Sequence, residues 1–378
     1  MLIQIHMLQN YAPSNLNRDD TGSPKNAYFG GVLRGRISSQ CLKRSIRMSE
    51  TFAEAFKDDE LLAMRTKRLP GLIRDELEAM DVEKDVIEKI VIRVPEIGSE
   101  SGRGRGKVQK EEDSDDGVLE TRQLIFIGQN ELRPLAEKLL ALYEEQGDKK
   151  WVKMKIKDIT EALGPGLPRS VDVAMFGRMT TSNAFENVQA AVQVAHALSV
   201  NALAQEFDYF TAVDDISGES GAGMIGDVEY NSSTYYEYFN IHWEGLCKNL
   251  GNDTEAARRA VLALLEAAAT AQPSGKQNTF AAHNLPDLVL VEVREKNLPV
   301  SYANAFLKPA RHGREHTLMD DAVAKLDDYV ARIGTTFDLK QTDQRAMTTV
   351  QDYTLPEAEV MPSLSKLQEW LTARLPEG

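Results

Sequence analysis

Outside residues 50–165, the chain reads as strand, helix, strand, helix, then strand, helix, strand, and no other feature constrains the fold as strongly. The order begins with LIQIHML at residues 2–8, where Ile3, Ile5 and Met7 alternate with Gln4 and His6. NYAPSNLNRDDTGSPKN is dense in Asn, Asp, Ser, Gly and Pro and predicts a loop. AYFGG follows, where Gly30 and Gly31 permit close approach of the backbone to a neighbour. Ser38 and Ser39 are good N-caps for a helix running to about Phe56. SVDVAMFGRMTTSN alternates Val171, Val173 and Met175 and predicts a strand. NVQAAVQVAHALSV predicts a helix of small residues, with His196 packed on it. STYYEYFNIHW predicts a strand, NDTEAARRAVLALLEAAATAQ a helix capped from about Thr254, and residues 288–293 a further strand. The C-terminal third adds helical pattern. The fold class is therefore α+β, with a ferredoxin-like (RRM-like) core. Such a sheet is a common platform for single-stranded RNA.

Two segments interrupt this core. Residues 50–95 read as helices broken at Pro70. LETRQLIFIG reads as a strand and ELRPLAEKLLALYEEQ as a helix, so 50–165 is expected to be a mostly helical insertion. Within it, SESGRGRGKVQKEEDSDDG is charged and of low complexity and predicts a mobile loop. Its GRGRGK could touch nucleic acid, although a solvated linker is the plainer reading. Residues 204–236 predict a long irregular stretch, a length usually tied to function. The glycines at 221, 223 and 226 spell GxGxxG, but no strand-to-helix junction frames them, so a dinucleotide site is not expected.

Charge is distributed unevenly. The 378 residues carry a net charge of −14. Seven basic residues against three acidic ones leave 1–50 at +4 and the remainder at −18. A basic face on an acidic body permits one polyanion site while the rest repels nonspecific contact. RISSQCLKRSIR, Arg36 to Arg47, concentrates that charge. At about 100° per residue, Gln40, Lys43, Arg44 and Arg47 share one stripe, and Cys41, Leu42, Ser45, Ile46, Met48 and Phe52 share the opposite face. Lys43 and Arg47 stand one turn, roughly 6 Å, apart, close to the phosphate repeat of an extended single strand. Arg36, Ser38 and Ser39 add donors just before the helix. A merely solvated basic face is the competing reading.

No run approaches the roughly 18–20 apolar residues of a membrane helix, and MLIQIHMLQN lacks the basic start of a signal peptide. With only Cys41 and Cys247, neither a disulfide framework nor a cysteine zinc site is expected, and a reducing cytoplasm fits. His312 and His316 are spaced for a helical metal pair, but Gly313 weakens a helix there and no third ligand follows, so no metal site is expected. The pairs Asp19–Asp20 and Asp214–Asp215 could hold a divalent ion for phosphodiester cleavage, yet both sit in loops where Asp is an ordinary turn residue. There is no nucleophile elbow, P-loop or Cys–His signature. Met179 stands in a polar tip with Gly177, Arg178, Thr180, Thr181 and Ser182. It reads as an apolar wedge against unstacked bases or as a partly buried loop anchor.

Five stretches resemble, in order and up to about residue 310, the CasC family: PSNLNRDDTGSPKNAYFGGVLRGRISSQCLKRSIR, GRMTTSN, FDYFTAVDD, PSGKQNTFAAHNLPDLVLVEV and SYANAFLKP. Members of this RAMP-superfamily group are the repeated backbone subunits of the type I-E Cascade complex in CRISPR immunity. The resemblance implies an RRM-like palm (1–49, 166–199 and 230–378), a helical fingers insertion (50–165) and a projecting thumb loop (200–229). It implies copies stacked head to tail along a CRISPR RNA, with bases left free to pair with target DNA, beside large, small and guide-end-capping subunits. Arg18, Lys25, Ser38, Gln40, Lys43 and Arg47 match positions that hold guide phosphates, and Arg36, Ser39 and Arg44 fall in the same basic run. Arg178, Met179, Thr180, Thr181 and Ser182 match the tip against the kinked RNA. Such a subunit is no enzyme and requires neither cofactor nor membrane. The alternative is a metal-dependent RNase, since related backbone subunits of other CRISPR types cut RNA with a loop aspartate; Asp19, Asp20, Asp214 or Asp215 would then be the acids.

Overall fold

A computed structural model of the chain describes residues 1–97, 119–164, 166–180, 182, 184–213, 216, 222–339 and 343–377. The charged segment 99–117, Thr181, Asp214, Asp215 and Gly221 lie outside the described residues. The described strands, in chain order, are β1 (Leu2–Ser14), β2 (Asn26–Phe29), β3 (Val32–Ile37), β4 (Ala63–Thr66), β5 (Ile125–Gly128), β6 (Val192–Val194), β7 (Ala197–Ser199), β8 (Glu206–Val213), β9 (Ala222–His242), β10 (Leu288–Arg294), β11 (Asp343–Thr349) and β12 (Ala358–Val360). The chain forms two compact units, 1–52 with 192–243 and 261–377, and 53–191 with 244–260. The divisions between the units fall near 53, 192, 244 and 261.

The first unit is built on one sheet, ordered β12-β11-β10-β1-β9-β7-β3-β2, with β6 and β8 also pairing with β9. All its pairings are antiparallel except β11–β12. With a large, mostly antiparallel sheet and separate helices, the fold is α+β. β1 lies between β10 and β9, so residues 2–9 are buried on both faces. Register sets Ile3, Ile5 and Met7 on one face with Ile241, Phe239 and Val291, and Gln4 and His6 on the other. β1 continues to Ser14 and so takes in the start of the expected loop.

The face bearing Gln4 and His6 encloses a polar network. The Glu292 carboxylate accepts from Arg345 Nε at 2.6 Å, Tyr302 OH at 2.7 Å, and Gln4 Nε2 and Arg294 at 3.0 Å. The His6 ring stacks between Tyr302 and Tyr238, at centroid distances of 4.5 and 4.9 Å. Burial lowers the His6 pKa and keeps the ring neutral. Around this network Leu8, Leu288, Leu290 and Met347 pack with Met319, Val323, Leu326 and Val330 of the helix Leu318–Thr336.

The opposite face holds a single buried acid. Glu237 pairs with Met7 across the strands, and its Oε1 has no hydrogen-bond partner. Desolvation pushes its pKa from 4.5 up to about 8. A raised carboxyl pKa contributes stability that is complete below pH 4.5 and is lost as pH rises through about 8. Wild-type protein is therefore expected to lose several kcal/mol of unfolding free energy between those limits, and Glu237→Gln should flatten the profile. Urea titrations from pH 5 to 9 measure this; parallel wild-type and Glu237→Gln profiles would show that the acid does not titrate with folding.

Three segments differ from their sequence pattern. Residues 171–176 are a helix, not a strand, with Ala174 N and Gly177 N bonding to Ser170 O and Val173 O. Residues 171–175 are all buried, so no polar face exists to reveal the helical period. Residues 192–199 are strands, not helix. Val192 and Val194 pair with Ile241 and Phe239, and Leu198 with Tyr236, so tertiary pairing overrides the helical preference of the alanines. The expected irregular stretch is largely a long antiparallel ribbon, Glu206↔Tyr230 to Val213↔Ala222.

The second unit is mostly helical, with the small β4–β5 sheet. Ile73, Leu77, Ile87, Ile90, Leu135, Leu139 and Trp151 form its core, and Trp151 Nε1 donates to Lys89 O at 2.8 Å.

Candidate nucleic-acid interface

In the first unit, the basic run is held by the strand before it and an apolar seat beneath it. β3 leads into α1 (Ser39–Arg47). The Ser38 side chain caps the helix by accepting from Cys41 N at 3.3 Å, and Ser38 N donates to Asn17 Oδ1 at 2.9 Å. His196 stands between β6 and β7, not on a helix, and its Nδ1 accepts from Ser39 N at 3.2 Å. Burial and the neighbouring Arg36 and Lys25 lower its pKa, which favours this neutral, accepting ring. Leu42 packs with Tyr11, Leu16, Ile37, Ala197, Tyr235 and Ala282, and Ile46 is also buried. The expected continuous helix to Phe56 breaks after Arg47 and resumes at Glu50–Glu54.

This seat turns the stripe outward. Gln40 and Arg44 are exposed, while Ser39, Lys43 and Arg47 are half-buried. Arg44 and Arg47 lie in the last turn, where cations also favour the helix dipole, worth about 0.3–1 kcal/mol each. Arg36 donates from Nε to Asn26 O at 3.2 Å and is half-buried. Arg18 is exposed beside the tight turn in which Lys25 N bonds Asn17 O. Arg18, Lys25 and Arg44 make no ion pair among the described residues. In the second unit, by contrast, Lys89, Arg93, Arg133 and Arg169 each face a carboxylate within 3.3 Å. Unneutralised cations on an acidic chain are the electrostatic requirement for holding a polyanion.

Arg34, which swells the local charge in sequence, contributes none of it to the surface. It is buried, and its guanidinium donates to Val200 O and Phe306 O at 2.7 Å. Gly30 permits the neighbouring close approach, since a Cβ there would stand 2.6 Å from Leu307 O.

In the second unit, the tip residues divide sharply. Met179 is 95% exposed and Arg178 only 6%. Arg178 Nη1 bonds Glu131 Oε2 at 2.7 Å and Oε1 at 2.9 Å, and its Nε donates to Glu186 O at 3.1 Å. Its charge is spent inside the unit and is not presented to solvent, as the sequence pattern suggested. Ser182 is buried with its hydroxyl on Ile97 O, and Thr180 N bonds Asn187 Oδ1 at 2.7 Å. The tip is thus a braced loop displaying one apolar side chain.

Of the acids considered for metal binding, Asp19 is engaged in its own turn. Asp19 Oδ1 accepts from Thr21 N at 2.9 Å, Thr21 Oγ1 at 2.7 Å and Ser23 N at 3.1 Å, and these bonds lower its pKa. This is a turn-forming aspartate. His312 and His316 are exposed and flank a turn, with Gly313 N on His316 O at 2.9 Å, and no helix carries them. Among the described residues no three His, Cys, Asp or Glu side chains group as metal ligands, and no helix is long and apolar enough to cross a membrane.

Sequence reasoning gave Asn17 no role and packed His196 on a helix, whereas both secure the start of α1. No local signal marks either one, because their partners lie 21 and 157 positions away.

Comparison with known proteins gives a full-length relationship. The family model of CT1975-like proteins matches residues 3–372. A chain of a solved structure described as a CRISPR RNA-guided surveillance complex, pre-nicking, is 31% identical with a TM-score of 0.81, covering 100% of both chains. A chain of a CRISPR RNA-guided surveillance complex is 28% identical with a TM-score of 0.70, covering 99% of this chain and 100% of that one. None of the curated proteins matches this chain.

Proposed function

We propose, from the premise that this chain belongs to the CT1975-like protein family, that it is a Cascade-type CRISPR protein acting as a non-catalytic, guide-RNA-binding backbone subunit of a type I-E surveillance complex. The observation that carries this reading is the full-length likeness, at 31% identity, to a chain of an RNA-guided surveillance complex. The chemistry of the basic face is consistent with it. Arg18, Lys25, Gln40, Lys43, Arg44 and Arg47 hold the ribose-phosphate chain of a CRISPR RNA without reading its sequence, and the buried Ser38 acts by fixing the start of the helix that presents them. Sequence is read by pairing between guide bases and target DNA. Met179 is the apolar contact to an unstacked base.

The sheet of the first unit is the RRM-like palm in this reading, and the β8–β9 ribbon is the thumb. Phe207, Tyr209 and Ile225 are 62–64% exposed on that ribbon. An isolated two-stranded ribbon is marginal in water, so these side chains suit contact with a neighbouring copy in a head-to-tail stack. The other Cascade subunits and the target DNA complete the assembly. Of the acids the RNase alternative would use, Asp19 has its Oδ1 occupied by its own turn.

Co-purification tests the reading. The tagged chain, expressed with a CRISPR array and its neighbouring operon proteins, is expected to yield discrete array-derived RNAs in a multi-copy assembly. A stable monomer without RNA would refute it.

A further inference from the structure

We propose that Glu237 is a positioning residue for the basic helix α1: the chain grips RNA while this buried carboxyl is neutral and loosens its grip when the carboxyl ionises. The inference rests on the RNA-binding reading above and adds a proton-linked control to it. It starts from strand register. β6 pairs with β9 as Val192↔Ile241 and Val194↔Phe239, whereas β7 pairs with it as Leu198↔Tyr236 and Ser199↔Tyr235. The three residues Ala195, His196 and Ala197 therefore stand opposite the two residues Glu237 and Tyr238, a bulge of one residue. Bulges re-aim side chains. This one carries His196, whose Nδ1 accepts from Ser39 N, the first residue of α1.

Glu237 also adjoins the apolar seat of α1. Two residues before it, and so on the same face of β9, Tyr235 packs with Tyr11 of β1 and Leu42 of α1, and Cys41 of α1 packs against that cluster. Burial and, to a lesser degree, the Glu237 charge raise the pKa values of the Tyr11 and Tyr235 hydroxyls and of the Cys41 thiol. Among the described residues these are the titratable groups that face Glu237, from β1, β9 and α1, and none is a cation. Lys25 and Arg44 act on Cys41, but burial alone shifts Glu237. Its Oε1 has no hydrogen-bond partner. Once ionised, such a carboxyl must draw in water or a donor, and the contacts it would part are the bulge and the seat of α1. RNA acts in the opposite sense. Phosphates on the outer stripe of α1 place negative charge about one helix diameter, roughly 10 Å, from the carboxyl and favour its neutral form. Binding and protonation therefore support each other, and affinity is lost as pH rises through about 8. His196 stays a neutral acceptor in that range, because burial and the neighbouring Arg36 and Lys25 lower its pKa from 6.5.

The test uses the full-length chain, a fluorescein-labelled single-stranded RNA of CRISPR-repeat sequence, and the variants Glu237→Gln and Cys41→Ser. RNA affinity is titrated from pH 7 to 9. Hydrogen exchange, corrected for the intrinsic rate, is followed over the same range without RNA. At pH 7, Glu237→Gln should bind as wild type with an equal salt slope, because the residue touches no phosphate. At pH 9, wild type should bind RNA about fivefold more weakly than Glu237→Gln and exchange its α1 amides several-fold faster. Cys41→Ser should follow the wild-type profile. Parallel affinity profiles in wild type and Glu237→Gln would overturn the proposal. So would a pH dependence that vanishes in Cys41→Ser, since the thiol would then be the titrating group. An equal rise in exchange across β10 would overturn it too, because the acid would then weaken the whole unit and not the seat of α1. If no protein binds RNA at any pH, the RNA-binding reading itself fails, and the exchange difference alone decides whether the acid controls α1.

Discussion

The double substitution Lys43→Ala/Arg47→Ala is expected to weaken RNA binding about 100-fold while leaving the protein folded. Each side chain, one turn apart on α1, is assigned one phosphate. A hydrogen bond to a charged group contributes about 1.5–3 kcal/mol, so two losses amount to roughly 3 kcal/mol, or two orders of magnitude. The loss should be uniform across RNA sequences, because phosphates carry no sequence information. The salt slope should fall by about 1.4, counting about 0.7 per phosphate on a single strand. The fold should survive because α1 is seated through Leu42 and Ile46 on its opposite face. Removing Arg47 from the last turn costs the helix only about 0.3–1 kcal/mol. Fluorescence titration of RNA between 50 and 300 mM salt measures both quantities. A slope equal to wild type would show that these side chains touch no phosphate.

Arg178→Ala should act on stability, not on salt dependence. The Arg178 and Glu131 side chains are 4% and 0% exposed, and Nη1 alone reaches both carboxylate oxygens. Removing one partner of such a pair strands the other charge in a low-dielectric interior, at a cost of about 3–5 kcal/mol. Glu131 also accepts from Gly128 N at 2.7 Å at the start of the helix Gln129–Trp151, so its displacement disturbs that helix as well. The double variant Arg178→Met/Glu131→Gln should recover most of the loss, since it leaves no buried charge and Gln still accepts from Gly128 N. Urea unfolding of Arg178→Ala, of the singles Arg178→Met and Glu131→Gln and of the double variant tests this, and the pairwise energy follows from the cycle formed by the last three with wild type. Near wild-type stability in Arg178→Ala would mean that the pair is not formed. A reduced RNA salt slope in the folded variant would return Arg178 to the phosphate-binding set.

The two substitutions contrast residues that the sequence treats alike. Arg34, Arg178, Lys43 and Arg47 are all cations in motif-rich segments. Nothing local separates those that face solvent from those that brace carbonyls. Arg34 meets Val200 and Phe306 across 166 and 272 positions, and Arg178 meets Glu131 across 47. The α1 stripe was legible because helical period alone sorts its apolar and basic faces, and Ser38 marks its start. The β1 strand was legible by its alternation. The helix 171–176 was not, because its one polar residue, Asp172, is buried and accepts from Ala63 N, so its place between Val171 and Val173 imitates strand alternation without marking an exposed face. The strands at 192–199 were not, because their alanines favour helix and only β9 supplies the pairing that outweighs it.

Local chemistry, then, sets the α+β class, the basic helix with its cap, and the uneven charge of an acidic chain. These depend on periodicity, capping and ionisation, all carried by residues within a turn or two of one another. Which cations remain at the surface, and that Glu206–Val213 pairs with residues 222–230 in a ribbon, are decided by contacts between distant segments. Burial and pairing are properties of the assembled chain, and their energies exceed local preference wherever a charge or a backbone donor would otherwise lose water without a partner.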